Sequence, residues 1–264
     1  MTDIQTPQYV AMIADGNGRW AKRQGLSVNE GHRAGADNVR ARLRDAAEFG
    51  IRELTIFAFS TENWARPAEE VKGLMELLAE YIKVVTPELN EEGVKLRFIG
   101  DRSPPMPVSL VEKMDWAEQL TAGNDLLTFF VPINYGGRSE LAHAARHFTG
   151  STRDEFRQLL YAPDMHDPEL LIRTGAEQRL SNFLLWQVAD AWLVFSMEMW
   201  PEFSRASFEA AIHDFQRVQE PNVTRLVPRL GRTVDPRPTI QGSPFMQGSS
   251  ASPRQSKDQD LLEK

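Results

Sequence analysis

The chain has 264 residues, 41% of them apolar and 25% charged, which fits one globular domain large enough to bury its own core. It holds no cysteine, so disulfides, cysteine-ligated zinc, iron–sulfur clusters and a cysteine nucleophile are excluded. Thirty Lys and Arg against 37 Asp and Glu give a formal charge of −7, without the basic footprint of sequence-independent nucleic-acid binding, so no nucleic-acid partner is expected.

Residues 8–220 alternate between strand and helix patterns. Residues 9–14 form a short apolar run that ends in Asp15-Gly16-Asn17-Gly18, a strand feeding a tight turn. A helix is expected over 31–49, closed by Gly50, then a buried strand over 53–59. Pro67 opens a long amphipathic helix that runs to about residue 92. Further strands are expected over 94–99, 126–134, 169–173 and 193–197, and further helices over 108–122, 138–148, 152–160 and 204–219. From Pro221 onward Pro, Ser, Gln and Gly accumulate, so a single domain over 1–232 and a disordered tail over 233–264 are expected. No apolar run is long enough to span a bilayer, and residues 1–8 lack the basic and apolar regions of a signal peptide, so a cytoplasmic protein is expected. Nearly continuous apolar strands alternating with helices predict an α/β fold, a mostly parallel six-stranded sheet surrounded by helices.

In such sheets ligands bind outside the carboxyl ends of the strands, so the polar residues after each strand are the candidates. After the first strand, two glycines let the backbone approach a ligand, the next helix offers free N–H groups to an anion, and Arg19 can add a bidentate phosphate contact. Asp15 is a poor neighbour for phosphate unless a cation lies between them, and Mg²⁺ held by one carboxylate plus substrate phosphates meets that need. Alone, this stretch reads more simply as a turn capping a helix, and it is neither a dinucleotide fingerprint nor a Walker A sequence. His32, at another helix start, is on its own a surface or capping histidine; its functional reading is a hydrogen-bond donor to phosphate or part of a proton relay.

Ser60, Asn63 and Trp64 follow the second strand, where an aromatic in a polar loop either covers the core or touches a ligand. Asn134-Tyr135-Gly136-Gly137-Arg138 reads as a structural turn into a helix. Arg173 and Arg179, six positions apart with Ser181 and Asn182 after them, suit a second polyanion. Arg19, Arg173 and Arg179 thus converge on one end of the sheet of an acidic protein. No GxSxG elbow or HExxH pattern is present. The residue types offer two anion sites, one cation and no covalent nucleophile, which suits ionisation of an allylic diphosphate through positioning and electrostatics.

The stretches VAMIADGNGRWAKRQGL, GHRAG, LTIFAFSTENWARPAEEV, LRFIGD, NYGGR, LLIRTGAEQRLSNFLLWQ and MWPEF occur in the order of the cis-prenyltransferase family, and the chain resembles that family over roughly residues 9–215. The resemblance implies a parallel sheet among helices, a homodimer and Mg²⁺ as cofactor. Asp15 would bind the metal, and Gly16, Asn17, Gly18 and Arg19, with Trp20 beside them, would cradle the diphosphate of an allylic prenyl substrate. His32 would hydrogen-bond phosphate, and Asn17, Ser60 and Asn63 would lie near the reacting carbons and assist proton removal. Glu62, Trp64 and Arg66 would belong to a loop closing over substrate, and Arg173, Arg179 and Ser181 would hold isopentenyl diphosphate. Its C4 would join C1 of the allylic partner, releasing pyrophosphate and leaving a Z double bond, while product grows into an apolar tunnel walled by helix 68–92. A greasy product would also bring that helix to a membrane surface, although its role as tunnel wall and core needs no membrane. Ala58 is small and would leave room for a long substrate.

Two positions depart from the family pattern. Val28 stands where members usually carry an Arg, four positions before the His of the GH motif. Trp192 stands where they usually carry a Glu, ten positions after the Asn of the SNF motif, and would fill space near the site. Asp190, two residues away, would point about 200° around a helix axis from it. Three readings follow: a synthase of Z-prenyl diphosphates, a divergent enzyme performing irregular coupling or cyclisation, and a non-catalytic partner subunit. Retention of Asp15, Asn17, Arg19, Arg173, Arg179 and Ser181 counts against the third.

Overall fold

A computed structural model describes residues 6–219. The expected tail over 233–264 and the end of the expected domain at 232 lie outside these residues. In chain order the elements are β1 (Tyr9–Ile13), α1 (Asn17–Gln24), α2 (Val28–Glu48), β2 (Glu53–Ile56), β3 (Phe59–Ser60), α3 (Ala68–Glu91), β4 (Val94–Ile99), α4 (Val108–Leu120), β5 (Leu127–Tyr135), α5 (Gly137–His147), α6 (Arg153–Arg157), β6 (Leu170–Arg173), β7 (Trp192–Phe195) and α7 (Arg205–Gln219). The strands form one sheet in the order β4, β5, β2, β1, β6, β7, with every neighbouring pair parallel.

The sheet has seven strands rather than six because the expected strand over 53–59 is broken. β3 pairs with β5 beyond the end of β2, with Phe59 opposite Ile133, whereas Thr55 lies opposite Phe130. Ile56, Phe57 and Ala58 therefore face only Val131 and Pro132 across the gap, a bulge of one extra residue. The Ala58 N–H donates to the Pro132 carbonyl at 3.2 Å, while Pro132 itself has no N–H to return. The break turns residues 57–60 out of the regular pleat where the chain reaches the end of the sheet.

The second helix begins earlier than the expected 31. The Ser27 Oγ accepts from the Glu30 N–H at 3.3 Å and the Glu30 carboxylate accepts from the Ser27 N–H at 2.7 Å, a reciprocal cap that starts α2 at Val28. The helix expected over 152–160 ends at Arg157.

Alternate residues of each strand point to opposite faces, and both faces are covered. Val10 and Met12 join one cluster with Leu43 of α2, Val85 of α3 and Phe208 of α7. Ala11 and Ile13 join another with Tyr135, Phe183 and Leu184. Along their outer edges α2 and α3 are bridged by Arg33–Glu80, Arg40–Glu88 and Arg44–Glu92. Strand β7 ends the sheet, with Trp192 and Leu193 exposed on it and Met197 77% exposed just beyond. Among the described residues, no helix is long and apolar enough to cross a membrane.

Candidate active site

All strands run the same way, so their carboxyl ends share one rim, and the polar segments after β1, β3, β5 and β6 meet there. They surround a cavity of about 690 Å³. Its mouth is polar, lined by Asp15, Asn17, His32, Ser60, Asn63, Arg66, Arg173, Arg179 and Ser181. Its body is apolar and runs between α2, α3 and the sheet, past Leu43, Ile82, Leu89, Leu96 and Phe129. Arg173 and the first turn of α1 thus share an opening into a slot suited to a hydrocarbon chain. Volume and lining are of the kind found in ligand sites, mostly apolar with a few converging polar groups.

Arg173 is the centre of the mouth. It ends β6 at 3% exposure and is held in place on several sides. Its Nη2 donates to Asp15 Oδ2 at 2.9 Å, and its Nη1 donates to Ser181 Oγ at 2.6 Å and to the Arg179 carbonyl. Its Nε is buried without a partner. Asp15 is also approached by Arg19, whose Nη2 lies 3.1 Å from Oδ1 while its Nη1 donates to the Gly175 carbonyl at 2.6 Å. A Cβ on Gly175 would lie 2.7 Å from that guanidinium, so the bare backbone lets Arg19 close on the loop. Asp15 itself is fixed by the Thr174 hydroxyl, which donates to its carbonyl at 2.8 Å, and by the Trp200 N–H, which donates to the same oxygen at 2.9 Å.

The loop after β6 carries Ala176, Ser181, Asn182 and Leu184 at positive φ, between 44° and 64°, a conformation that costs energy in non-glycine residues. This turns Ser181 and Asn182 toward the cavity. The Asn182 Nδ2 donates to Glu62 at 2.7 Å, its Oδ1 accepts from the Arg138 N–H at 2.8 Å and its carbonyl accepts from the Gly137 N–H at 2.7 Å. Glu62 and Asn182 so tie the loop after β3 to the loop after β6 across the mouth. Burial raises the Glu62 carboxyl, but hydrogen bonds from Asn182, its own backbone and the Ser60 and Thr61 hydroxyls outweigh it and hold the group below the ordinary range.

His32 lies on α2 facing the cavity, its Nε2 buried without a hydrogen bond and with the Glu70 carboxylate 3.8 Å away. Burial, then the nearby Arg66 guanidinium, lower its pKa and outweigh the opposing pull of Glu70, so the imidazole is neutral at pH 7 and its Nε2 has no hydrogen bond to break on meeting a ligand. Asn17 Oδ1 is a second buried polar atom without a partner. Arg66 is engaged by Glu70 at 2.8 Å. Ser60 and Asn63 are locked together, the Ser60 N–H donating to Asn63 Oδ1 at 2.9 Å.

The remaining sequence candidates sit differently. Gly16, Gly18, Arg19, Trp20 and Trp64 are not among the residues lining the cavity. Gly16 caps α1 at φ 109° and packs on Met199, and Gly18 has open space around it. Trp20 is half-buried on α1. Trp64 stands edge-on to Phe59, centroids 5.0 Å apart, and donates from Nε1 to Asn134 Oδ1 at 2.8 Å, so it anchors its loop to the carboxyl end of β5. Val28 opens α2 and is exposed. Trp192 is the clearest departure from expectation. It lies in β7 and not on a helix, opposite Leu170, whereas Phe195 is opposite Arg173. Three residues of strand separate it from the rim, roughly 10 Å, so within this chain it fills no space at the site and the helical comparison with Asp190 does not apply.

Glu62, Arg138, Asn182 and Arg40 also line the cavity. Glu62 and Asn182 lie in stretches the sequence singled out, and Arg138 ends the stretch read as a structural turn; Arg40 is one of many helical arginines and carries no signal. Asp15 and Glu62 are the two carboxylates lining the cavity, and among the described residues no three His, Cys, Asp or Glu side chains are grouped to hold a metal. A cation at Asp15 therefore needs oxygen ligands from a bound molecule.

The comparisons agree with this geometry. The family described as "Putative undecaprenyl diphosphate synthase" matches residues 13–221. "Isoprenyl transferase 2" of Bradyrhizobium diazoefficiens is 45% identical over 222 residues, 80% of this chain and 88% of that protein. A Pseudomonas aeruginosa protein named "Ditrans,polycis-undecaprenyl-diphosphate synthase ((2E,6E)-farnesyl-diphosphate specific)" is 43% identical over 82% of this chain and 90% of its own. Among solved structures, lavandulyl diphosphate synthase from Lavandula x intermedia, in complex with dimethylallyl diphosphate, superposes with a TM-score of 0.76 at 33% identity, covering 80% of this chain and 95% of that one.

Proposed function

This chain belongs to the undecaprenyl diphosphate synthase family of prenyltransferases, and from that membership we propose that it joins isopentenyl diphosphate to an allylic prenyl diphosphate, giving a Z-prenyl diphosphate and pyrophosphate. The observation that carries the reading is one arginine-rich mouth on one apolar slot: buried Arg173 links Asp15 to Ser181 at the entrance of the 690 Å³ cavity. A diphosphate matches the mouth and a prenyl chain matches the slot.

The allylic diphosphate lies over the start of α1, with Asn17 and the neutral His32 ring nitrogen as its neutral contacts and Arg19 as its cation. Isopentenyl diphosphate takes Arg173, Arg179 and Ser181. The allylic C1–O bond breaks, the π electrons of isopentenyl diphosphate form the new C4–C1 bond, and a proton leaves C2 to a phosphate oxygen, with Ser60 and Asn63 orienting that edge. Asp15 is the carboxylate that would hold Mg²⁺ together with substrate phosphates, and the ion would supply positive charge to stabilise the departing pyrophosphate. Arg19 and Arg173, which hold Asp15 in this structure, turn their remaining N–H groups to phosphate. The cavity walls keep water from the electron-deficient carbon.

A homodimer is part of the reading, supported by the exposed apolar edge at Trp192, Leu193 and Met197; sedimentation or light scattering measures it. A cytoplasmic location is likewise part of it, tested by cell fractionation, as is peripheral membrane contact through the bound product, tested by vesicle flotation. The reaction itself is tested by incubating the protein with isopentenyl diphosphate and each of dimethylallyl, geranyl and farnesyl diphosphate, with and without Mg²⁺. A Mg²⁺-dependent series of Z products differing by five carbons supports it. A branched product formed without isopentenyl diphosphate supports irregular coupling instead, the second reading, which draws on the likeness to lavandulyl diphosphate synthase.

A further inference from the structure

Helix α1 lies on α2 along Gly31 and Gly35. The two glycines make room for different things. A Cβ on Gly31 would fall 2.5 Å from the Asn17 carbonyl oxygen and 2.8 Å from Ala21 Cβ, so its absence lets the two helices touch. A Cβ on Gly35 would fall 2.5 Å from Asn17 Oδ1, 2.8 Å from Cγ and 2.9 Å from Nδ2, so its absence makes room for one side chain, the carboxamide that faces the cavity.

That carboxamide has little else to fix it. Asn17 Oδ1 is buried with no hydrogen-bond partner, so steric contact and not a donor decides where it stands. Gly35, by contrast, cannot retreat. Its carbonyl accepts from the fully buried Trp200 Nε1 at 2.7 Å, and one turn on Asn38 Nδ2 donates to the Trp200 carbonyl at 2.6 Å. The Trp200 N–H in turn donates to the Asp15 carbonyl at 2.9 Å. Gly35 is therefore built into the frame that also fixes Asp15, and Asn17 rests against it.

We propose that Gly35 is a positioning residue for the reaction: its bare Cα sets the depth at which the Asn17 carboxamide stands in the cavity. The proposal rests on the reading of Asn17 as a contact of the allylic diphosphate. With a methyl at Gly35, Asn17 Oδ1 must withdraw by roughly 1 Å to reach ordinary contact distance. A displacement of that size at a reacting centre costs on the order of 100-fold in rate.

The test is a double-mutant cycle of Gly35→Ala and Asn17→Ala, read by kcat, KM and Tm. Asn17→Ala removes the three atoms nearest to the new methyl. In the presence of Asn17, Gly35→Ala should lower kcat on the order of 100-fold with a smaller change in KM, and lower Tm. With Ala at position 17 the same change should leave the residual kcat unaltered and raise Tm, since alanine favours a helix interior over glycine. If Gly35→Ala alone does not fold, the double variant should fold again. Full turnover by Gly35→Ala, an equal kcat loss in both backgrounds, equal Tm changes in both, or a double variant that still fails to fold each overturns the proposal. Absence of turnover by the unsubstituted protein would count against the reaction proposed above, while the Tm cycle would still report the contact.

Discussion

Arg173 and Asp15, 158 positions apart, are joined by a 2.9 Å hydrogen bond between the carboxyl ends of the adjacent strands β6 and β1. The arginine is 3% exposed, and the carboxylate side chain is 31% exposed. Asp15→Ala should abolish turnover and also strip a buried guanidinium of its acidic partner, costing about 1–3 kcal/mol of stability. Asp15→Asn keeps an acceptor for Arg173 and should lose turnover with less loss of stability. Steady-state assays and urea unfolding separate the two effects, and full activity in either variant would contradict the assigned role.

The same carboxylate should have opposite effects on diphosphate binding with and without metal. Without a cation it repels a phosphate anion held by Arg19 and Arg173. With Mg²⁺ it becomes a ligand. Asp15→Asn should therefore bind pyrophosphate several-fold more tightly than the parent protein in chelator and lose the gain that Mg²⁺ gives the parent, about tenfold for each 1.4 kcal/mol. Calorimetric titration in both conditions measures this, and parallel Mg²⁺ responses in the two proteins would count against Asp15 as a metal ligand.

Burial, followed by Arg66, holds His32 below its usual 6.5 in the folded protein. The unfolded chain takes up this proton near 6.5 and the folded one at lower pH. The contribution of His32 to stability is therefore complete above 6.5 and is lost as pH falls through the lower, folded value. His32→Gln should flatten the fall of Tm in that window. Bound pyrophosphate places negative charge at Nε2 and should raise the histidine pKa, with proton uptake on binding. A ring-proton NMR titration that does not move on adding pyrophosphate would remove His32 from the phosphate site.

Ala58 stands at the bulge between β2 and β3 with its side chain toward the cavity. Ala58→Leu should shorten the prenyl products without large loss of stability, because the new side chain fills open space. Phe129→Ala, deeper in the slot, should lengthen them and cost about 3–5 kcal/mol, because Phe129 is 6% exposed and part of the main core cluster. Mass analysis of the product series checks both directions.

Much of the mouth was legible in sequence because a parallel sheet puts the residue after every strand on one rim. That rule put Asp15, Ser60, Arg173, Arg179 and Ser181 at the rim, and their convergence with the family stretches made them candidates. What stayed hidden depends on partners distant in sequence. The bulge that splits 53–59 is set by its register against β5 and not by its own residues. For Trp64 the sequence left a cover for the core and a ligand contact both open, and the structure packs it on Phe59 with its indole N–H taken by Asn134, itself at φ 50°. The expected strand over 193–197 left Trp192 just outside it and near the site, whereas its pairing with Leu170 makes it the first residue of β7, at the far end of the sheet. Gly35 closes the GHRAG stretch, but its closeness to the Asn17 side chain, 18 positions earlier, is visible only in the packing of α1 on α2.

The parallel sheet also bears on how the enzyme is made. Among the described strands β1 is the first to be synthesised, yet the neighbour that completes its site, β6, is the sixth of seven. Until Arg173 and Ser181 have been synthesised, Asp15 has Arg19 beside it but lacks the buried arginine that links it to Ser181 in the finished protein. A nascent or truncated chain ending before residue 181 therefore holds an unfinished mouth, and release of an incomplete polypeptide yields no partially active prenyltransferase.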